Sequence, residues 1–143
     1  MKDNNTIRYE QLVPDVLKAF QQVHPAIDAA GLERSLHHLV VLRASQINGC
    51  AFCVKMHTRE AREDGETNER LDRLVVWNHV DDYTPREKAA LAWTEAMTRL
   101  DGRSDLAVLR ANLREHFSER EVAALGAKVA MINLWNRIAI SNH

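Results

Sequence analysis

The chain has 143 residues, which suits one domain of ordinary size and leaves little room for a second. Its 19 Lys plus Arg against 20 Asp plus Glu give a formal charge of -1, so no field exists to hold a nucleic-acid backbone or an acidic membrane. With 45% hydrophobic and 27% charged residues the composition is globular rather than disordered; the longest uncharged stretch, Ala44 to Val54, is far too short to span a bilayer. The N-terminal run MKDNNTIRYEQ has no apolar signal-peptide core, so a cytoplasmic location is expected.

Ala (18) and Leu (15) are abundant while Gly (5) and Pro (3) are scarce, a balance that predicts an all-α chain. A first helix is predicted over Pro14 to Ala30, carrying Val16, Leu17, Phe20, Val23 and Ile27 and closed by Gly31. A second covers Leu32 to Gln46 and stops at Asn48-Gly49, two residues that tolerate a left-handed backbone. The third starts at or beside Cys50 and runs to Asp64, where Gly65 closes it. Thr67 caps a short fourth helix through Leu71, Leu74 and Val75 to Trp77. Thr84-Pro85-Arg86-Glu87 opens a fifth to Leu100, Ser104 or Asp105 a sixth to His116, and Ser118-Glu119-Arg120-Glu121 a last one through Val122, Leu125, Val129, Ile132 and Trp135. The expectation is a single-domain bundle of about seven helices spanning 1–143, with no linker or repeat.

The two cysteines, Cys50 and Cys53, form one C-x-x-C, too few for the disulfide framework of a secreted scaffold. In a reducing compartment that spacing means redox chemistry or half of a metal site. On a helix, Cys50, Cys53 and His57 fall within about 60° of one another, and Cys53 and His57 are an i, i+4 pair. A helix N-terminus stabilises a thiolate through its unpaired N–H groups, and a nearby imidazole able to accept the thiol proton pushes the same way. A nucleophilic thiolate with a second thiol in reach is the chemistry of a two-cysteine peroxidase or a disulfide reductase. The competing metal reading uses Cys50, Cys53, His57 and His38 as zinc ligands in a binding or regulatory protein.

The run from Leu42 to Cys53 (LRASQINGCAFC), followed by His57, resembles the signature of the AhpD-like alkylhydroperoxidases of the carboxymuconolactone decarboxylase superfamily. Trp77, the segment Pro85 to Ala92 and the segment Ile132 to Arg137 extend the likeness over roughly residues 30 to 140. The resemblance implies an all-α fold in homo-oligomers, trimers or hexamers built from dimers. It also implies reduction of hydrogen peroxide or small organic hydroperoxides without haem or flavin. In that scheme Cys53 attacks the peroxide, His57 belongs to the proton relay, and Cys50 condenses with the sulfenic acid to a disulfide. An external dithiol, such as a lipoylated protein, reduces it again. The helix terminus itself favours Cys50 as the more acidic thiol, whereas the resemblance gives the attacking role to Cys53.

One position departs from the pattern. The relay of the family includes a glutamate twelve residues before the first cysteine, and here that residue is His38. A carboxylate there would orient and charge His57, so His38→Glu is expected to raise turnover if His38 is in the relay. Glu33 and Glu60 are the nearby carboxylates available as substitutes. A lyase of the decarboxylase branch, with His57 or His38 as general base, is the remaining alternative; its lactone-decarboxylating members lack the cysteine pair. Trp77, Trp93 and Trp135 are expected in the core or a subunit interface, and Asn133, Asn136 and Arg137 in hydrogen bonds within the domain or across a dimer contact. Arg59, Glu60, Arg62, Glu63 and Asp64 read as a solvated face, with Lys55 also pointing to solvent.

Overall fold

Capping side chains set most of the helix starts. The Thr84 hydroxyl accepts from the Glu87 N–H (3.1 Å) while the Glu87 carboxylate accepts from the Thr84 N–H (2.9 Å). Ser118 and Glu121 repeat this reciprocal pair at 3.2 and 2.7 Å. Thr67 and Asp105 cap through their side-chain oxygens as well. The computed structural model describes residues 1–143, and the elements are α1 (Tyr9–Leu12), α2 (Pro14–Gln21), α3 (Val23–Asp28), α4 (Arg34–Asn48), α5 (Ala51–Glu63), α6 (Asn68–Arg73), a 3-10 segment (Leu74–His79), α7 (Pro85–Arg99), α8 (Leu106–His116) and α9 (Glu119–Ile140). The fold is all-α, as the composition implies.

The helix count exceeds seven for local reasons. The helix expected over Pro14 to Ala30 is broken after Gln21, because Pro25 has no N–H for the Gln21 carbonyl and its ring crowds that oxygen. Pro25 instead sits in the first turn of α3, where an N–H is not needed. The fourth helix stops at Arg73 and tightens into the 3-10 segment, within which Val76 leaves helical geometry at φ -121° and ψ 27°. The short α1 has no buried residue and no hydrophobic period to announce it.

The α4 helix forms the axis of the molecule. Leu36 and Val40 face a core with Ala89, Ala90 and Trp93 of α7, Leu113 of α8, Phe117, and Leu125 and Val129 of α9. Leu39 and Leu42 face a second core with Ala61, Leu71, Leu74, Trp77, Tyr83 and Leu91. Burial of leucines such as Leu36, Leu39 and Leu42 contributes about 1.5–3 kcal/mol each, and losing any of them would open a cavity between packed helices. A polar seam joins α4 to α9. The Asn48 amide donates to the side-chain oxygens of Asn133 (3.0 Å) and Asn136 (2.9 Å), and the buried Asn136 amide donates to the Ser45 hydroxyl (3.0 Å). Arg137 donates to the Asn133 side chain at 3.1 Å, so these residues find partners within the domain, as expected.

The N-terminal arm lies across the end of α9. The Ile7 N–H donates to the Asn142 side chain at 2.6 Å, the Asn142 amide returns a bond to the Ile7 carbonyl at 3.1 Å, and the Tyr9 and Ser141 hydroxyls meet at 2.7 Å. Between this arm, α2, α3, α4, α5 and α9 is a cavity of about 820 Å³. No helix is long and apolar enough to cross a membrane.

Candidate functional site

Gly49 makes the site possible. It adopts φ 68° and ψ 32°, a left-handed conformation that a side chain would strain. Its N–H reaches the Gln46 carbonyl and the Cys50 N–H reaches the Ser45 carbonyl, the paired bonds that close a helix C-terminus and turn the chain sharply. Cys50 therefore becomes the N-terminal cap of α5. Its sulfur accepts from the Cys53 N–H at 3.2 Å, placing it on the positive end of the helix.

Cys50 and Cys53 are joined as a disulfide with a Cα–Cα distance of 5.2 Å. Both are buried, but Cys53 lines the cavity and Cys50 does not. His57, one turn beyond Cys53, lines the same cavity. Its Nδ1 lies 3.2 Å from a Glu60 carboxylate oxygen, and since a carboxylate can only accept, Nδ1 carries the proton and Nε2 is left as the acceptor. Burial pulls the His57 pKa below the ordinary imidazole value, and the Glu60 interaction opposes that pull without overcoming it. His57 is thus a neutral base whose tautomer is set by Glu60.

Asp64 does not belong to a merely solvated face, contrary to the sequence expectation, and of the two carboxylates the sequence offered near the relay it is Glu60, not Glu33, that reaches His57. Asp64 accepts from Arg34 Nε at 2.8 Å and from His38 Nε2 at 2.6 Å, and these two bonds, His38 first, hold its carboxyl below the usual range. His38 is almost fully buried, its Nδ1 has no hydrogen-bond partner, and it is absent from the cavity wall that Cys53 and His57 share. The structure brings together Cys50, Cys53 and His57, and places His38 as a tie between α4 and the end of α5. Replacing His38 by Glu would set a second carboxylate against Asp64. His38→Glu is therefore expected to lower the thermal midpoint and leave turnover no higher; a rise in turnover would return this position to the relay.

The imidazole on the cavity wall from α4 is the neighbouring His37. Lys128 of α9 donates to His37 Nδ1 at 2.8 Å and approaches Asp28 Oδ1 at 3.5 Å. Burial, then the Lys128 charge, push the His37 pKa down to about 3, so this ring is neutral at pH 7. Burial also lowers Lys128 from the ordinary lysine value. Sequence reasoning passed over Lys128, although its place four residues before Ile132 and seven before Trp135 puts it on their helix face. Of the three tryptophans, Trp77 and Trp93 are in the core as expected, whereas Trp135 lines the cavity and donates to His24 Nε2 at 2.8 Å.

The zinc set is not assembled. Cys50 and Cys53 are bonded to each other, His38 is held by Asp64, and no group of three or more His, Cys, Asp or Glu is arranged to take a metal ion.

Comparison with known proteins agrees with this fold. Residues 14–96 match the model of the carboxymuconolactone decarboxylase family. The uncharacterized protein YdfG of Bacillus subtilis (strain 168) is 36% identical over 135 residues, covering 94% of this chain and 92% of its own. A crystal structure of a protein of unknown function from Agrobacterium tumefaciens, for which an AhpD antioxidant-defence role has been suggested, superposes with a TM-score of 0.89 at 38% identity over 95% of this chain and 94% of that one. An uncharacterized peroxidase-related protein with an alkylhydroperoxidase AhpD core, from Ralstonia eutropha JMP134, gives a TM-score of 0.77 at 27% identity over 90% of this chain and 68% of that one. With its family match, these relatives and its own fold in agreement, the chain belongs to the carboxymuconolactone decarboxylase family and has the AhpD-like architecture.

Proposed function

We propose that the protein is a thiol-dependent peroxidase that reduces hydrogen peroxide or organic hydroperoxides through Cys53, Cys50 and His57. The observation that carries this reading is the asymmetric cysteine pair: bonded to each other, with only Cys53 opening on a cavity that also holds a neutral, carboxylate-oriented imidazole. In the reduced protein, His57 takes the Cys53 thiol proton. The Cys53 thiolate attacks the terminal peroxide oxygen, the O–O bond breaks, and the departing alkoxide receives the proton from His57 as an alcohol. Cys53 is left as a sulfenic acid. The Cys50 thiol then displaces its hydroxyl, forming the disulfide and releasing water.

Recovery uses the same asymmetry. A thiolate of a dithiol donor, such as a lipoylated protein, attacks the Cys53 sulfur from the cavity. Cys50 departs as a thiolate stabilised by the Cys53 N–H and the start of α5. The second donor thiol then releases reduced Cys53 and leaves the donor as a disulfide, so the peroxide gains the two electrons that the donor loses. Assembly into homo-oligomers built from dimers is part of this proposal; the exposed Leu12, Val13, Val16 and Phe52 are apolar surface available for it.

Turnover of hydrogen peroxide or cumene hydroperoxide by the reduced protein with dihydrolipoamide tests the reading. Sustained consumption is expected; no consumption above the protein-free rate, or an unchanged rate after both cysteines are replaced by serine, would contradict the thiol mechanism, and lyase activity that survives that double replacement would favour the decarboxylase branch. The relay has its own test. Glu60 raises the His57 pKa, so Glu60→Gln is expected to keep His57 neutral to lower pH. The acid limb of the kcat/KM profile then moves down in pH, while a limb that stays in place or moves up removes Glu60 from the relay.

A further inference from the structure

A cavity of about 820 Å³ is more than hydrogen peroxide requires, since a water-sized molecule occupies only about 30 Å³. Its size is that of a site for a substantial organic ligand. The wall is mainly apolar and includes Leu17, Ile27, Val41, Met56, Ile132 and Ile138. Glu10 and Lys18 also line it, but both are exposed and of opposite sign. The buried fixed charge on the wall is the Lys128 ammonium, 6% exposed.

Lys128 has donor capacity to spare. An ammonium has three N–H donors; one goes to His37 Nδ1 at 2.8 Å, and a second reaches Asp28 Oδ1 only at 3.5 Å. The His37 ring must accept there, so its own proton lies on Nε2, giving a second donor beside the ammonium. Asp28 is mostly solvent-exposed and is not part of the cavity wall. A buried cation engaged by a neutral ring and one long contact is under-neutralised, and an anion entering the cavity would satisfy it.

We propose that the cavity binds an organic hydroperoxide carrying an apolar chain and a carboxylate, with Lys128 pairing with the carboxylate while Cys53 and His57 meet the peroxide. The reactive part rests on the peroxidase reading above; the carboxylate site does not. The apolar wall takes the chain, and the charge of Lys128 selects an acid over a neutral ester or alcohol of the same length.

Calorimetric titration of the disulfide form of the full chain with decanoate and with decanol reads the carboxylate site without any turnover. Decanoate is expected to bind about tenfold tighter than decanol, a preference of the size that one charge-assisted hydrogen bond provides. Lys128→Met should erase the preference and Lys128→Arg retain it. Asp28→Asn, at an exposed position where folding is not at stake, should tighten decanoate several-fold by removing the competing carboxylate. Equal binding of acid and alcohol by the wild type, or unchanged or weaker decanoate binding in Asp28→Asn, would overturn the proposal. The kinetic arm compares a fatty-acid hydroperoxide with its methyl ester, and a higher kcat/KM for the acid is expected. Peroxide turnover without acid preference would sink this inference and leave the peroxidase reading standing. Charge-dependent decanoate binding without reduction of any hydroperoxide would do the reverse, leaving a carboxylate site and no peroxidase.

Discussion

Cys53→Ser is expected to abolish peroxide consumption, a loss of about 10³-fold or more, because the hydroxyl that replaces the thiolate is a poor nucleophile at neutral pH. Cys50→Ser has a different outcome. Cys53 still opens on the cavity beside His57, so a first turnover proceeds, and the sulfenic acid then waits without its resolving partner. A dimedone adduct on Cys53 in Cys50→Ser, absent from Cys53→Ser, is the expected pattern. The roles follow from placement in the fold. Cys50 is sealed beneath the turn made by Gly49 and held on the Cys53 N–H, which suits a leaving or resolving sulfur, whereas Cys53 has the access. An adduct on Cys50 in Cys53→Ser, with rapid peroxide consumption, would exchange the two assignments and make the helix terminus decisive.

Asn136→Ala is expected to cost about 2–4 kcal/mol of stability, among the larger effects available to a single substitution in this chain. Asn136 is fully buried, accepts from the half-buried Asn48 and donates to the buried Ser45, so truncation takes one partner from each, although Asn48 keeps Asn133 and Ser45 keeps the Val41 carbonyl, and opens a void between α4 and α9. The measurement is the denaturation midpoint at unchanged m. A loss below about 0.5 kcal/mol would mean that Asn48 and Ser45 find other partners. The change also bears on the site, because Asn48 immediately precedes Gly49 and Cys50; loosening the end of α4 loosens the turn that seats the disulfide.

Much of the fold was legible because its signals are local. Thr84 with Glu87 and Ser118 with Glu121 announce helix starts within four residues, and Gly49 announces the stop that makes Cys50 a cap. The break at Pro25 was also local, but the apolar period of Val16, Leu17, Phe20, Val23 and Ile27 runs through it, and missing backbone bonds leave no mark on a hydrophobic pattern. The heart of the site was legible for the same reason as the caps: Cys50 caps one helix, and Cys53 and His57 sit on its first turns.

The partners of those residues were harder to read. Glu60 lies three residues after His57, within reach on the same face, and the sequence offers it beside Glu33 as a carboxylate for the relay; only the packing shows that Glu60 reaches His57 while Glu33 is held by Arg86. His37 and His38 are adjacent, so only the packing of α4 decides which ring reaches the cavity and which is turned to Asp64. Lys128 and Asp28 are 100 residues apart in sequence, and no local spacing foretells their meeting with His37. The cavity itself is a product of topology: its walls come from the N-terminal arm, the short α2 and α3, two central helices and the C-terminal helix.

The most direct measurement is mass spectrometry of the reduced wild-type chain after one equivalent of hydrogen peroxide. The expected product is two hydrogen masses lighter, with peptides containing Cys50 and Cys53 linked and the peroxide consumed in step. Unlinked cysteines after complete peroxide loss, or peroxide left untouched by a fully reduced pair, would contradict the proposed chemistry.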